Sequence, residues 1–260
     1  MNGGLDLEAL LAAAHAIADE ADALSLRHFA RGVDATHKAD GSPVTVADRE
    51  VEALVRARLT EAFPAHAQYG EEQGGRLEPG VPTWVLDPID GTKGFLRGTP
   101  IWATLLALVV DGAPVLGVAS APALRERWSA ARGLGARRNG YPMGVSAVDD
   151  LSDAVVLHGG LDWFRKTPGG WDLLGRIAQR AGRTRGYGDF WMHLLVAGGQ
   201  ADVAIERDVK PWDVAALICI VEEAGGRLTA WDGGQALTSG EALTTNAALA
   251  LPMQDLVAGR

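Results

Sequence analysis

Residues 84–98 read WVLDPIDGTKGFLRG, and Trp84, Val85 and Leu86 run straight into Asp87 and Asp90, which flank Pro88-Ile89 ahead of Gly91-Thr92. An apolar, β-prone run does not ordinarily end in paired carboxylates. Two acids held this close repel each other and resist ionising unless a cation sits between them. Pro88 fixes one dihedral and Gly91 allows conformations closed to other residues, so the backbone must turn sharply here. Hard cations such as Mg²⁺ take oxygen ligands and keep several waters, so a few carboxylates plus the Ile89 carbonyl suffice. Gly91-Thr92-Lys93 then starts a helical turn whose free N–H groups and dipole favour a phosphate. The stretch reads as a buried strand that opens onto a cation-dependent phosphate site.

Outward from it, hydrophobic spacing divides the chain. Leu7, Leu10, Leu11, Ala14, Ile17, Ala18, Ala21 and Leu24 recur at intervals of three and four, which predicts an amphipathic helix over 5–30. A second helix is predicted over 46–63, with Val51, Leu54, Val55, Leu59 and Phe63 inward and Pro64 as its stop. Thr45 and Asp48 form a capping box at its start, and Asp48 reads equally well as a capping or a functional acid. Residues 101–110, 114–120 and 126–131 are short β-prone segments joined by turns such as Asp111-Gly112, the pattern of an antiparallel meander. Beyond about residue 145, strand-like pieces (154–158, 183–187, 201–206, 227–231, 242–245) alternate with helical ones (170–181, 189–198, 213–224), an α/β texture. Two halves are expected: 1–145, α+β with the acid-bearing loops, and 146–260, α/β and completing the site. No linker or repeat separates them, so they should share an extended interface.

Of the 260 residues, 47% are hydrophobic, ample for a large core. Lys plus Arg number 24 against 33 Asp plus Glu, a net charge of −9. That balance argues against nucleic acid as partner or as phosphodiester substrate. It leaves room for small anionic substrates, because a bound divalent cation inverts the local field. Cys219 is the single cysteine, which excludes an internal disulfide and a Cys-rich zinc site. The acidic N-terminal stretch lacks a basic n-region, and apolar runs such as 101–110 are too short to span a bilayer. A soluble, cytoplasmic protein without a membrane partner is expected.

Acids also stand without local reason at Glu71 and Glu72, after Gly70, and at Asp213, in the first turn of an apolar helix. In order, Gly70-Glu71-Glu72, Trp84-x-x-Asp87-Pro88-Ile89-Asp90-Gly91-Thr92 and Trp212-Asp213-x-Ala215-Ala216, running on to Glu223-Ala224-Gly225-Gly226, resemble the signatures of the inositol monophosphatase family of Mg²⁺-dependent phosphatases. The resemblance implies a layered α-β-α-β-α sandwich, a homodimer, and roughly two or three Mg²⁺ ions per site. It implies metal ligands at Glu71, Asp87, the Ile89 carbonyl, Asp90 and Asp213. Glu71, Thr92 and Asp48 would orient or activate the attacking water, and Asp90, Gly91, Thr92, Lys93 and Asp213 would also meet the substrate. A non-catalytic relative would have lost part of this set, which is intact here. Glu72 reads as a solvated neighbour of Glu71.

Within that family, residues 87–112, 115–136 and 183–206 are most similar to the bacterial histidinol-phosphate phosphatases. Lys93, Arg97, Ser120-Ala121-Pro122 and Tyr187-Gly188-Asp189-Phe190 carry the similarity, while Gly94 stands where the family's usual string has Asn. It implies a small phosphorylated metabolite, L-histidinol phosphate, as substrate, with inositol 1-phosphate or another small polyol phosphate as the alternative. An ammonium and an imidazole call for carboxylates away from the metals, and Asp189 and Glu206 are the candidates. Glu206 also matches an acid that hydrogen-bonds inositol hydroxyls in the broader family. Arg185 resembles a substrate-side residue that binds phosphate or reaches across a dimer interface. His158 and His193, isolated near apolar segments, are expected to be packed or hydrogen-bonded rather than metal ligands. The Trp-rich 101–131 hairpins are a candidate dimer contact.

Overall fold

The computed structural model describes residues 5–32, 35–37 and 43–259. Its first half runs α1 (Leu7–Arg31), β1 (Ala35–His37), β2 (Pro43–Thr45), α2 (Val46–Ala62), β3 (Ala67–Gly70), β4 (Thr83–Asp90), α3 (Thr92–Leu96), β5 (Ala103–Val110), β6 (Ala113–Ala121), β7 (Glu126–Ala131), β8 (Gly135–Arg138) and β9 (Tyr141–Pro142). The second runs β10 (Val155–His158), α4 (Leu161–Lys166), α5 (Gly170–Arg180), β11 (Arg183–Gly186), α6 (Asp189–Ala197), β12 (Val203–Arg207), α7 (Pro211–Glu223), β13 (Gly226–Thr229), β14 (Glu241–Asn246) and α8 (Ala250–Ala258).

Strands β3 to β9 form one sheet in sequence order, antiparallel apart from the parallel β3–β4 pair. A second sheet has the order β11-β10-β12-β14-β13, parallel as far as β12 and antiparallel beyond. β1 and β2 make a separate antiparallel pair.

Side chains alternate across a strand, and that alternation sets the layers. On β4 and β5, Trp84, Leu86, Leu106 and Leu108 cluster with Ala14, Ile17, Val51 and Leu59 of α1 and α2. Val85, Leu105, Ala107 and Val109 cluster instead with Phe190 and Leu194 of α6 and Leu217 and Ile220 of α7. A sheet covered on both faces needs nearly continuous apolar strands, which is why 103–110 shows no polar alternation. α6 turns Met192 and Val196 to Leu157 of β10 and Ala204 of β12. The far face of that sheet, with Val156, Val203, Ile205 and Leu243, packs on Phe164, Leu173, Ile177 and Met253 of α4, α5 and α8. Five layers follow, the α-β-α-β-α sandwich that the resemblance implied.

The middle helices sit close against the first sheet. A Cβ on Gly117 of β6 would lie 2.3 Å from the Ala216 carbonyl of α7, so the glycine sets the approach. Trp102 and Trp128, at 0% and 1% exposure, point into the core, so the tryptophans of the 101–131 hairpins supply no external contact. No described helix is long and apolar enough to cross a membrane.

Candidate active site

The site begins where β4 loses register. β4 pairs with β5 as Asp87↔Leu105 and then as Asp90↔Ala103, so one extra residue bulges at Pro88-Ile89. A bulge makes no ladder demand on the missing proline N–H. Ile89 N donates to Asp87 Oδ1 at 2.9 Å, and Thr104 Oγ1 donates to the Pro88 carbonyl at 2.9 Å, fixing the turn. Gly91 caps α3 at φ 86°, and a Cβ there would lie 2.9 Å from the Ile101 carbonyl. The same carbonyl would be 3.2 Å from a Cβ at Gly94, so the family's usual Asn would need a local shift there.

Asp213 arrives from the start of α7, where Pro211 opens the helix. Its Oδ2 accepts the Lys210 N–H at 2.8 Å, and Trp212 beside it packs edge-on to Tyr69, ring centroids 5.3 Å apart. One carboxylate oxygen from each of Asp87, Asp90 and Asp213 lies within 4.8 Å of the others. Asp87 is buried, while Asp90 and Asp213 keep an open edge.

This crowding shows in the acidities. Burial, then the charges of Glu71 and Asp90, push Asp87 well above the usual carboxylate range. Burial, then Asp189, do the same to Asp90, and burial raises Asp213 to about 7. Desolvation and mutual repulsion are both relieved by a divalent cation among the oxygens. A donor set made of carboxylate oxygens suits a hard cation, so the residues present fit the metal that the resemblance implies.

Glu71 lies just beyond β3, and its charge adds to the raised pKa values of Asp48, Asp87 and Asp213. Its turn is held by Glu52 of α2, a residue the spacing gave no reason to single out. Glu52 is fully buried and accepts Glu72 N at 2.8 Å, Gln73 N at 2.9 Å and Arg56 Nε at 2.8 Å. Gly70 makes room for it, since a Cβ there would meet Glu52 Oε1 at 2.5 Å. Asp48 forms the expected cap and also faces Thr92. Oδ2 accepts from Thr45 N and Oγ1 at 2.7 and 2.6 Å in the capping box, and Oδ1 faces Thr92 Oγ1 at 3.4 Å. Thr92 Oγ1 also reaches the Ile89 carbonyl at 3.0 Å.

Beside the three aspartates a cavity of about 100 Å³ runs between α6, α7 and β12, lined by Asp90, Asp189, His193, Glu206 and Asp213 among others. Asp90 Oδ2 accepts the Phe190 N–H at 2.6 Å, which ties the strand end to the start of α6. Asp189 opens α6 at φ 56°, a left-handed conformation costly for a non-glycine residue. It is solvent-exposed, yet burial is still the leading cause of its raised pKa, with Lys93 and His193 opposing. Glu206 is raised to about 8 by burial and then by Asp189. Buried His193 bonds through Nδ1 to Thr244 Oγ1 at 2.7 Å, as an isolated histidine should, but it also lines the cavity, which nothing in the spacing signalled. Lys93 is exposed on α3. Arg185 stands apart: it is exposed on edge strand β11, donates Nη1 to the Thr184 carbonyl at 2.7 Å, and is not among the cavity-lining residues.

The five-layer sandwich brings Asp87 and Asp90 of β4 together with Asp213 of α7 in one carboxylate cluster that could hold a metal ion. The model of the inositol monophosphatase family matches residues 6–258; the chain belongs to that family and is a phosphoric monoester hydrolase. It is 44% identical to a histidinol-phosphatase of Mycobacterium tuberculosis, over 90% of this chain and 92% of that one. A histidinol-phosphatase of Streptomyces coelicolor is 40% identical over 91% and 92%. Among solved structures, an inositol monophosphatase from Zymomonas mobilis superposes with a TM-score of 0.87 at 32% identity, covering 98% of this chain and 99% of that one.

Proposed function

We propose that this enzyme is an Mg²⁺-dependent phosphomonoesterase that hydrolyses L-histidinol phosphate to L-histidinol and inorganic phosphate, and so serves histidine biosynthesis. The observation that carries it is the convergence of Asp87, Asp90 and Asp213 within 4.8 Å beside a cavity that also holds Asp189 and Glu206. In this reading Glu71, Asp87, the Ile89 carbonyl, Asp90 and Asp213 hold Mg²⁺. Bound there, Mg²⁺ would polarise the ester and offset the charge developing on the phosphate. The chain's own contribution is position and proton handling. The Thr92 hydroxyl has one proton to give, to the Ile89 carbonyl at 3.0 Å or to Asp48 Oδ1 at 3.4 Å, and in this reading its oxygen accepts a hydrogen bond from the attacking water. Glu71 flanks the same spot, held there by the Glu52-anchored turn. Gly91 and Lys93 meet the phosphate at the start of α3, while Asp189 and Glu206 meet the cationic alcohol.

The names of the relatives at 44% and 40% identity support this substrate. The likeness to an inositol monophosphatase supports the alternative, inositol 1-phosphate or another polyol ester, on the same machinery. A homodimeric state and a cytoplasmic location belong to the same reading and rest on the family resemblance; exposed Arg185 fits better at a subunit contact than at the phosphate. Phosphate release should be measured on L-histidinol phosphate, inositol 1-phosphate and glycerol 2-phosphate, with and without Mg²⁺. Mg²⁺-dependent turnover with the highest kcat/KM on L-histidinol phosphate is expected. Preference for inositol 1-phosphate would overturn the substrate, and equal rates without Mg²⁺ would overturn the cofactor.

A further inference from the structure

His193 lies in the middle layer on α6, four residues after Asp189, and both line the same cavity. Alternation along the second sheet decides what meets α6. Ala204 of β12 packs toward α6 while Val203 and Ile205 pack away from it, so Glu206 shares the α6 side. On β14, Leu243 packs away, so Thr244 also faces α6. The imidazole therefore stands between two neighbouring strands, Nδ1 at 2.7 Å from Thr244 Oγ1 and Nε2 at 3.6 Å from Glu206 Oε2. A buried hydroxyl must place its proton, and among the described residues the hydrogen-bond partner of Thr244 Oγ1 is Nδ1. If the hydroxyl donates there, the ring proton sits on Nε2 and points at the carboxylate. The other carboxylate oxygen is confined by Gly159, where a Cβ would lie 2.3 Å from Glu206 Oε1.

We propose that His193 is a positioning residue that aims Glu206 at the alcohol end of the substrate and thereby sets selectivity for a cationic over a neutral alcohol. The inference rests on the substrate reading above. Burial holds the ring's pKa down at about 4, so the imidazole adds no positive charge to the pocket. Burial also leaves Glu206 largely protonated at neutral pH before substrate binds, and an incoming ammonium or imidazolium, unopposed by the histidine, favours its ionised form. The 3.6 Å separation exceeds a hydrogen bond, and the substrate's charge supplies the reason for it to close.

The test compares KM and kcat on L-histidinol phosphate and on glycerol 2-phosphate, whose alcohol is neutral. Three variants are needed: His193→Phe, which fills the space without a donor; His193→Gln, whose amide can replace the Nε2 proton; and Thr244→Val, which keeps the ring. His193→Phe should raise KM for L-histidinol phosphate about tenfold more than KM for glycerol 2-phosphate, with kcat nearly level, as loss of a hydrogen bond to a charged group would. His193→Gln should recover most of that ratio, and Thr244→Val should move it in the same direction as His193→Phe. Equal losses on both esters, or an unmoved ratio in the Phe and Val variants, would overturn the assignment. A wild-type enzyme that already prefers the neutral ester would instead overturn the substrate reading, a failure visible before any substitution.

Discussion

Asp90 joins several parts of the site: its carboxylate belongs to the acid cluster, its Oδ2 takes the Phe190 amide in the first turn of α6, and it borders the cavity. Asp90→Asn keeps an acceptor for Phe190 but removes a charge. Turnover should fall at least about 100-fold, because charge stabilisation at the reacting group is lost, while the metal-free variant should melt no lower than wild type because a buried repulsion has gone. Steady-state kinetics and thermal melts check the two halves separately. Gly91→Ala should fail differently. At φ 86°, with a Cβ 2.9 Å from the Ile101 carbonyl, alanine costs on the order of 1–3 kcal/mol, readable by urea denaturation. The aspartates were legible in the sequence because an apolar run ending in Asp87 and Asp90 has no cheap structural excuse. Glu52 and His193 were not. Each reads locally as an ordinary helical residue, and each meets its partners at the site only through a chain segment that approaches from far away in sequence.

Among the elements, those with long periodic patterns were visible from the residues alone. Predicted helices at 5–30 and 46–63 correspond to Leu7–Arg31 and Val46–Ala62, and the 101–131 meander forms as expected. α4, with six residues, is too short to show a period, and Pro252 inside α8 masks a helix whose inner side is Met253 and Leu256. β3 is four residues long and exists because β4 offers it a parallel edge, a tertiary fact. At this scale Glu52 fastens α2 to the Glu71 turn. Glu52→Gln sets an amide N–H₂ against two backbone donors and Arg56, and should cost about 2–4 kcal/mol. Faster hydrogen exchange at the Glu72 and Gln73 amides, together with a lower kcat, is the expected signature. Unchanged exchange would show that the turn is held otherwise.

Across the whole molecule the buried acids set how stability responds to pH. Burial lifts Asp213 from 3.8 to about 7 and Glu206 from 4.5 to about 8, so without metal the folded state holds protons that the unfolded chain has released. The unfolded state then binds fewer protons, and stability falls as pH rises toward those folded values. His193 has the opposite sign, since its lowered pKa costs stability only below its ordinary 6.5. Between pH 6.5 and 8 the acids therefore act alone, and the melting temperature of chelated protein should drop across that window, while Mg²⁺ removes the share due to Asp87, Asp90 and Asp213 and leaves that of Glu206, making the slope shallower. An equal slope with and without Mg²⁺ would mean that the acids do not share a cation. The most direct measurement is anomalous diffraction from crystals grown with Mn²⁺ in place of Mg²⁺. A peak within coordination distance of Asp87, Asp90 and Asp213 together is expected; a map with no peak there, or with the three carboxylates turned apart, would contradict the site as described.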